Sequence, residues 1–168
     1  YRCPTTHEAR LEKRMNKLTK KYDLKKGLDF IGITCVFYCH DGKGNLLLSK
    51  RSQNCRDERG VWDCGSGSME FGEESLESAA RREILEEYCV IPKKIKFQGV
   101  TNVIRQNGKR KSHWIGFIFT ALVNPKECKI GEPKDIDEIG WFPINKLPKP
   151  QHSMLLKHLK IARAKGDL

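Results

Sequence analysis

The sequence has no long apolar run, no paired Cys-x-x-Cys spacing and comparatively little acid. Its longest apolar stretch, FIGITCVFYC at 30–39, is short and interrupted, whereas a bilayer-spanning helix needs about 20 apolar residues. No signal-peptide pattern opens the chain, so a soluble, cytoplasmic protein with no membrane association is expected. The 7 cysteines, at positions 3, 35, 39, 55, 64, 89 and 128, are odd in number and scattered. That pattern indicates neither a zinc ribbon nor a complete disulfide framework and favours reduced thiols. Asp and Glu number 21 against 32 Lys and Arg, a formal charge of +11. Such an excess favours polyanionic partners, whether nucleotides, nucleic acid or an anionic surface, without choosing among them.

What is present divides into two parts. Residues 1–28 read as a basic N-terminal helical extension, because Leu11, Met15, Leu18 and Tyr22 recur at helical spacing within 7–26 and Gly27 supplies a stop. This segment is a candidate docking helix, or an arm for nucleic acid. Residues 29–168 are expected to form one domain with a sizeable core. There the grammar changes to short apolar runs separated by turn chemistry. Strands are expected at 30–39 and 46–51 around DGKGN, at 95–105 and 112–123 around QNGKRK, and at 138–144. Leu155, Leu159 and Ala162 mark a closing helix within 151–165. Strands with helices inserted between them indicate an α/β or α+β fold.

The chemistry concentrates in ARREILEEYCV at 80–90. At 100° per residue, Glu83, Glu86 and Glu87 fall within an arc of about 100°, beside an apolar arc of Ile84, Leu85 and Tyr88. Glu83 and Glu87 form an i,i+4 like-charge pair that costs a helix roughly 0.2–0.5 kcal/mol. The residues permit two readings: a solvated acidic face with an Arg82–Glu86 pair, or a site for a hard cation such as Mg²⁺, which takes oxygen ligands and needs few carboxylates when water and phosphate complete its octahedron. Upstream lies WDCGSGSMEFGEES, in which Gly65, Gly67 and Gly72 allow a tight loop with backbone N–H groups near phosphate oxygens.

Taken together, these residues resemble the Nudix box: Gly, five residues, Glu, seven residues, Arg-Glu, an aliphatic, any residue, Glu-Glu, any residue, Gly, an aliphatic. REILEEYCV supplies Arg82, Glu83, Ile84, Glu86, Glu87 and Val90, with Cys89 in place of the final Gly. The upstream loop carries one extra residue. Counting back from Arg82 selects Glu74 and Ser68, while counting forward from Gly67 selects Glu73. The resemblance covers about residues 30–148 and implies an α/β/α sandwich with a mixed β-sheet.

It also implies Mg²⁺-dependent hydrolysis, with Mn²⁺ as a substitute, of a nucleoside diphosphate linked to another group. Glu83, Glu86 and Glu87, with Glu73 or Glu74, would hold the metal, and Arg82 would orient Glu86. Glu138, or its neighbour Asp137, resembles the acid near the last strand that some members use for base or metal work. Trp62, Trp114 and His113 are candidate substrate contacts, beside Gly65 and Gly67 of the loop. The compact chain favours a nucleoside triphosphate, cleaved to monophosphate and pyrophosphate. ADP-ribose or a nucleotide sugar is the alternative, followed by RNA 5′-end processing and by a non-catalytic binding module. A monomer or homodimer is expected.

Overall fold

The computed structural model describes residues 24–107, 110–166 and 168. The expected helix at 7–26 lies outside these residues except for 24–26, which are not helical: Lys26 forms a bridge with Phe30 around a turn at Gly27, where φ is 74°. Seven strands and two helices follow: β1 Gly32–His40, β2 Asn45–Arg51, β3 Trp62–Asp63, β4 Gly65–Ser68, α1 Leu76–Tyr88, β5 Lys94–Asn107, β6 Arg110–Leu122, β7 Ile136–Pro143 and α2 Leu155–Ala162.

The strands form one mixed sheet in the order β3-β2-β1-β6-β5, with β4 also paired to β1 and β7 to β2. β1 and β6 run parallel from Gly32↔Trp114 to His40↔Leu122, and the other pairings are antiparallel. Since β6 takes one whole edge of β1, β2 and β4 must share the other. β2 meets it at His40 and β4 along Thr34–Phe37, so the sheet forks there.

Side chains on β1 alternate between two cores, as a fully covered strand requires. Cys35, Phe37 and Cys39 pack beneath α1 with Ile84, Tyr88 and Phe119. Val36 and Tyr38 pack beneath α2 with Ile118, Leu155 and Leu159. The arrangement is therefore an α+β fold with a mixed sheet between helices. All described cysteines are free thiols. Among the described residues no helix is long and apolar enough to cross a membrane.

The expected strands and closing helix are present with shifted ends, and the missed elements are the short β3 and β4. The segment read as a glycine-rich cradle holds Gly65 and Gly67 in strand β4 and Gly72 in a turn, where φ is 89°. Thr34 Oγ1 donates to the Gly67 carbonyl at 2.9 Å and Cys35 pairs with Gly67, which together hold β4 on β1.

Candidate active site

Helix α1 begins at a capping box. Ser75 is extended, its hydroxyl accepts from the Ser78 N–H at 3.0 Å, and the Ser78 hydroxyl accepts from the Ser75 N–H at 3.0 Å. The buried face that follows is Ala79, Ala80, Ile84, Glu87 and Tyr88. This corrects the apolar arc expected from the sequence. Leu85 is 48% exposed, and Glu87 takes an inward position, only 8% exposed. At the C-terminal end Cys89 adopts the left-handed conformation, φ 54° and ψ 28°, and its N–H donates to Leu85 O. The cysteine thus keeps the backbone turn that glycine favours there.

Arg82 is the hub of the acidic face. Its Nε donates to Glu73 Oε1 at 2.8 Å, its Nη1 to Glu83 at 2.9 Å and Glu86 at 2.7 Å, and its Nη2 to the Ser68 carbonyl at 3.0 Å. A planar five-donor fork can satisfy so many acceptors at once, and a lysine cannot. Glu73 also accepts the Glu70 N–H at 2.6 Å. Burial opposes ionisation of Glu73, but these bonds hold its carboxyl below the ordinary range. Glu74 is exposed and stands outside this network. The extra loop residue therefore leaves Glu73 as the acid bonded to the helix.

The two strand glycines permit close approach. A Cβ on Gly65 would fall 1.9 Å from the Phe37 ring, and one on Gly67 would fall 1.8 Å from the Glu83 carboxyl carbon. Glu83 lies under β4, and burial raises its carboxyl despite Arg82. Glu87 lies beside the same strand, with its Oε1 accepting the Ser66 N–H at 3.1 Å. Burial first, then Glu83, Glu132 and Asp63, push the Glu87 carboxyl well above its ordinary value, although the Ser66 bond opposes the rise.

Glu87 opens on a cavity of about 250 Å³ lined also by Arg51, Arg56, Asp63, Glu132 and Asp135. Glu132 and Asp135 arrive from the segment between β6 and β7, which packs on the C-terminal end of α1. There Lys129 N–H donates to Tyr88 O at 3.0 Å and Gly131 N–H to Glu87 O at 2.8 Å. Any side chain on Gly131 would collide with the Glu86 carbonyl, 1.8 Å from its Cβ position. Burial, Asp135 and Glu86 raise the Glu132 carboxyl. Burial also lifts Asp63, to about 7.

A second cavity of about 290 Å³ lies on the α2 side of the sheet, and Arg51, Arg56, Asp63, Cys64 and Ser66 line both. Its remaining wall includes Arg105, Trp114, His152 and His158.

Several sequence candidates are placed elsewhere. Trp62 is 7% exposed and packs edge-on against Phe142, with ring centroids 4.9 Å apart, so it serves the core instead of stacking on a ligand. His113 hydrogen-bonds Asn102 at 2.7 Å and lines neither cavity, whereas its strand neighbours Ser112 and Trp114 line the second. Strand alternation turns His113 to the opposite face. Glu138 and Asp137 are exposed and also line neither cavity, and Glu138 lies 3.9 Å from Lys50. Gly67 lines the second cavity and Gly65 neither. The residues missed from sequence are Glu132, Asp135, Asp63, Arg51, Arg56 and Arg105. They are scattered polar residues whose convergence depends on strand pairing, and no local pattern sets them apart.

The donor set fits a hard divalent cation. Glu83, Glu86 and Glu87 offer carboxylate oxygens, and buried Glu87 faces further acids, a repulsion that a cation would offset. Among the described residues no group of three or more His, Cys, Asp or Glu side chains is placed to hold a metal ion. Mg²⁺ does not require one, since water and substrate phosphates complete its shell.

The NUDIX domain profile matches residues 31–162. An ADP-ribose pyrophosphatase of Methanocaldococcus jannaschii is 33% identical over 134 residues, covering 79% of this chain and 75% of the relative. The crystal structure of a MutT NUDIX hydrolase from Burkholderia pseudomallei is 25% identical and superposes with a TM-score of 0.69, covering 78% of this chain and 97% of that one. The NUDIX domain of Shewanella oneidensis NrtR, crystallised with ADP ribose, is 22% identical and shares the fold with a TM-score of 0.65, covering 86% of this chain and 91% of that one. The match over residues 31–162 includes the acidic helix, β4 and the loop that delivers Glu132, and on that basis the chain belongs to the Nudix family of hydrolases acting on phosphoric anhydrides.

Proposed function

We propose that this protein is a divalent-metal-dependent pyrophosphohydrolase that splits the anhydride of a nucleoside diphosphate carrying a sugar, with ADP-ribose as the leading substrate. The observation that carries the reading is the buried Glu87 carboxylate at the head of an acidic cavity, held by one backbone N–H beside the Glu83 and Glu132 charges. The 33% identical ADP-ribose pyrophosphatase supports the sugar-linked substrate over the triphosphate expected from chain compactness.

Glu83, Glu86 and Glu87 would hold the cation. Bound there, it would neutralise charge on the diphosphate and lower the pKa of a water, easing loss of its proton to a base so that the oxygen could attack phosphorus. The chain's own residues do the rest. Arg82 fixes Glu83 and Glu86 on the helix and braces them against Glu73 and β4. Arg56, 56% exposed and only 3.9 Å from Asp57 at its nearest carboxylate, is available to the substrate's phosphates from the walls of both cavities. Glu132 lines the first cavity beside Glu87 and is the candidate base, because burial raises its proton affinity and a stronger base takes a proton from water more readily.

The test is a substrate panel with Mg²⁺ containing ADP-ribose, other nucleotide sugars, nucleoside triphosphates, dinucleotides and capped RNA. Preferential cleavage of ADP-ribose to AMP and ribose 5-phosphate is expected. Preference for a triphosphate, with release of pyrophosphate, would replace this reading by the alternative.

A further inference from the structure

We infer that residues 1–23 of this chain dock on the α1 side of the sheet, laying Leu11, Met15, Leu18 and Tyr22 over an apolar surface that β1, β6 and β5 leave open. The side chains of that surface line neither cavity, so the docking is independent of the proposed reaction.

The open surface follows from strand register. Ile33, Ile115 and Asn102 form one row across β1, β6 and β5, and His113 and Ile104 belong to the row before it. Side chains directly opposite one another on paired strands share a face. Helix α1 reaches only the next row, where Cys35 Sγ lies 3.3 Å from the carbonyl oxygen of Leu76, the first residue of the helix, and Phe117 packs against the core beneath it. Beyond the reach of the helix, Ile31, Ile33, Val100 and Ile104 are each 43–57% exposed. Parallel strands are ordinarily covered on both faces, and β1 with β6 is the parallel pair of this sheet. A contiguous apolar surface left in water marks a contact site. Its polar members, Asn102 and His113, are hydrogen-bonded to each other at 2.7 Å, so part of their polar demand is met within the surface itself.

Continuity of the chain points to the occupant. Leu24, itself exposed, is the first described residue, and the turn that follows it sits at the rim of this surface. The Gly27 carbonyl accepts the His113 N–H at 2.7 Å, and Lys26 Nζ donates to the Met69 carbonyl at 3.4 Å, next to the point where the Met69 N–H donates to Ile33 O at 3.2 Å. Residues 1–23 therefore join the domain beside Ile33.

Size and charge agree. Leu11, Met15, Leu18 and Tyr22 recur at helical spacing, and a helix carrying that stripe would be about 17 Å long and about 10 Å across. Three neighbouring strands are about 10 Å wide, so one such helix covers the opening. Residues 1–23 hold 7 Lys or Arg against 3 Asp or Glu, whereas the loop 69–75 beside the surface contains Glu70, Glu73 and Glu74 and no basic residue. Glu73 is matched by Arg82, while Glu70 and Glu74 are exposed, with Glu70 3.4 Å from Lys26 at the start of the same basic run. A second copy seated on this surface would leave the apolar stripe of the segment without a partner.

The experiment uses the full chain. Leu18→p-benzoylphenylalanine keeps the stripe apolar and adds a photoreactive group. Irradiation should give an adduct within a single chain, mapped by mass spectrometry to residues 30–33 or 97–117. An adduct joining two chains would assign the surface to a second copy and overturn the docking, and so would an adduct elsewhere in the domain or none at all. Thermal melting gives the second arm. Met15→Ser with Leu18→Ser, and Val100→Ser with Ile104→Ser, should each lower the melting temperature by about 5 °C, the scale of two half-buried apolar side chains lost from a domain of this size. All four together should lower it little further than either pair alone, because each pair breaks the same contact. A combined shift equal to the sum of the two separate shifts would overturn the docking, as would no shift from the Val100 and Ile104 pair.

Discussion

The carboxylate of Glu83 occupies the space that a side chain at Gly67 would need, with the Cβ position 1.8 Å from its carboxyl carbon. Gly67 therefore allows an acidic helix to press against β4. Since the clashing atoms are the far end of a flexible side chain, Gly67→Ala should move Glu83 more than it unfolds the protein. We expect Mg²⁺-dependent hydrolysis to fall by about 10²-fold, the scale of a roughly 1 Å misplacement of a reacting group. Steady-state kinetics beside thermal melting checks this, and wild-type kcat in a well-folded variant would remove Glu83 from the site.

Glu87→Gln keeps an oxygen to accept the Ser66 N–H while removing a charge from a buried, acid-rich position. Metal-free melting temperature should stay the same or rise. Turnover should drop by orders of magnitude, because an anionic ligand and its charge stabilisation are lost. Near-normal turnover with unchanged Mg²⁺ dependence would contradict the cation site at Glu87.

Glu132 and Glu138 make a contrasting pair, the first lining the Glu87 cavity and the second exposed beside Lys50. We expect Glu132→Gln to lower kcat by about 10², the lower range of general-base effects, and Glu138→Gln to leave it close to wild type. The reverse order, measured at saturating Mg²⁺, would return the base to the last strand.

Asp63 governs a pH-dependent part of stability. Burial raises its carboxyl from 3.8 to about 7, so the folded state holds this proton more tightly than the unfolded chain does. Stability from this group is fully present below about 4 and is lost as pH rises through about 7. Asp63→Asn cannot ionise. Its melting temperature relative to wild type should therefore increase between pH 4 and pH 8, and a constant difference across that range would show that Asp63 titrates normally.

Cys89 holds a left-handed backbone, φ 54°, at the end of α1. The conformation costs an L-residue about 1–2 kcal/mol and glycine far less. Cys89→Gly should stabilise the fold by about 1 kcal/mol, or about 2–4 °C in melting temperature for a domain of this size. A lowered melting temperature would mean that the exposed cysteine makes compensating contacts.

The sequence by itself determined the elements whose signals are local. Short apolar runs bounded by turn residues marked β1, β2, β5, β6 and β7, and helical spacing of Leu155, Leu159 and Ala162 marked α2. The run from Arg82 to Val90 marked the acidic helix, because side chains three and four apart share a helix face whatever the rest of the chain does. Tertiary structure decided the rest. Two adjacent glutamates, Glu73 and Glu74, look alike in a string, and only the packing of the loop against α1 puts Glu73 on Arg82 while Glu74 stays in solvent. Gly65 and Gly67 suggested a phosphate cradle, yet the glycines are needed because Phe37 and Glu83 approach β4 too closely for any side chain. Glu132, Asp63 and Arg51 come from distant points of the chain and meet at one cavity because β3 pairs with β2, which brings Asp63 beside Arg51, and because the segment before β7 is bonded to the end of α1, which brings Glu132 to Glu87. Strand pairing across such separations is set by the packing of both sheet faces at once, and no window of sequence contains it.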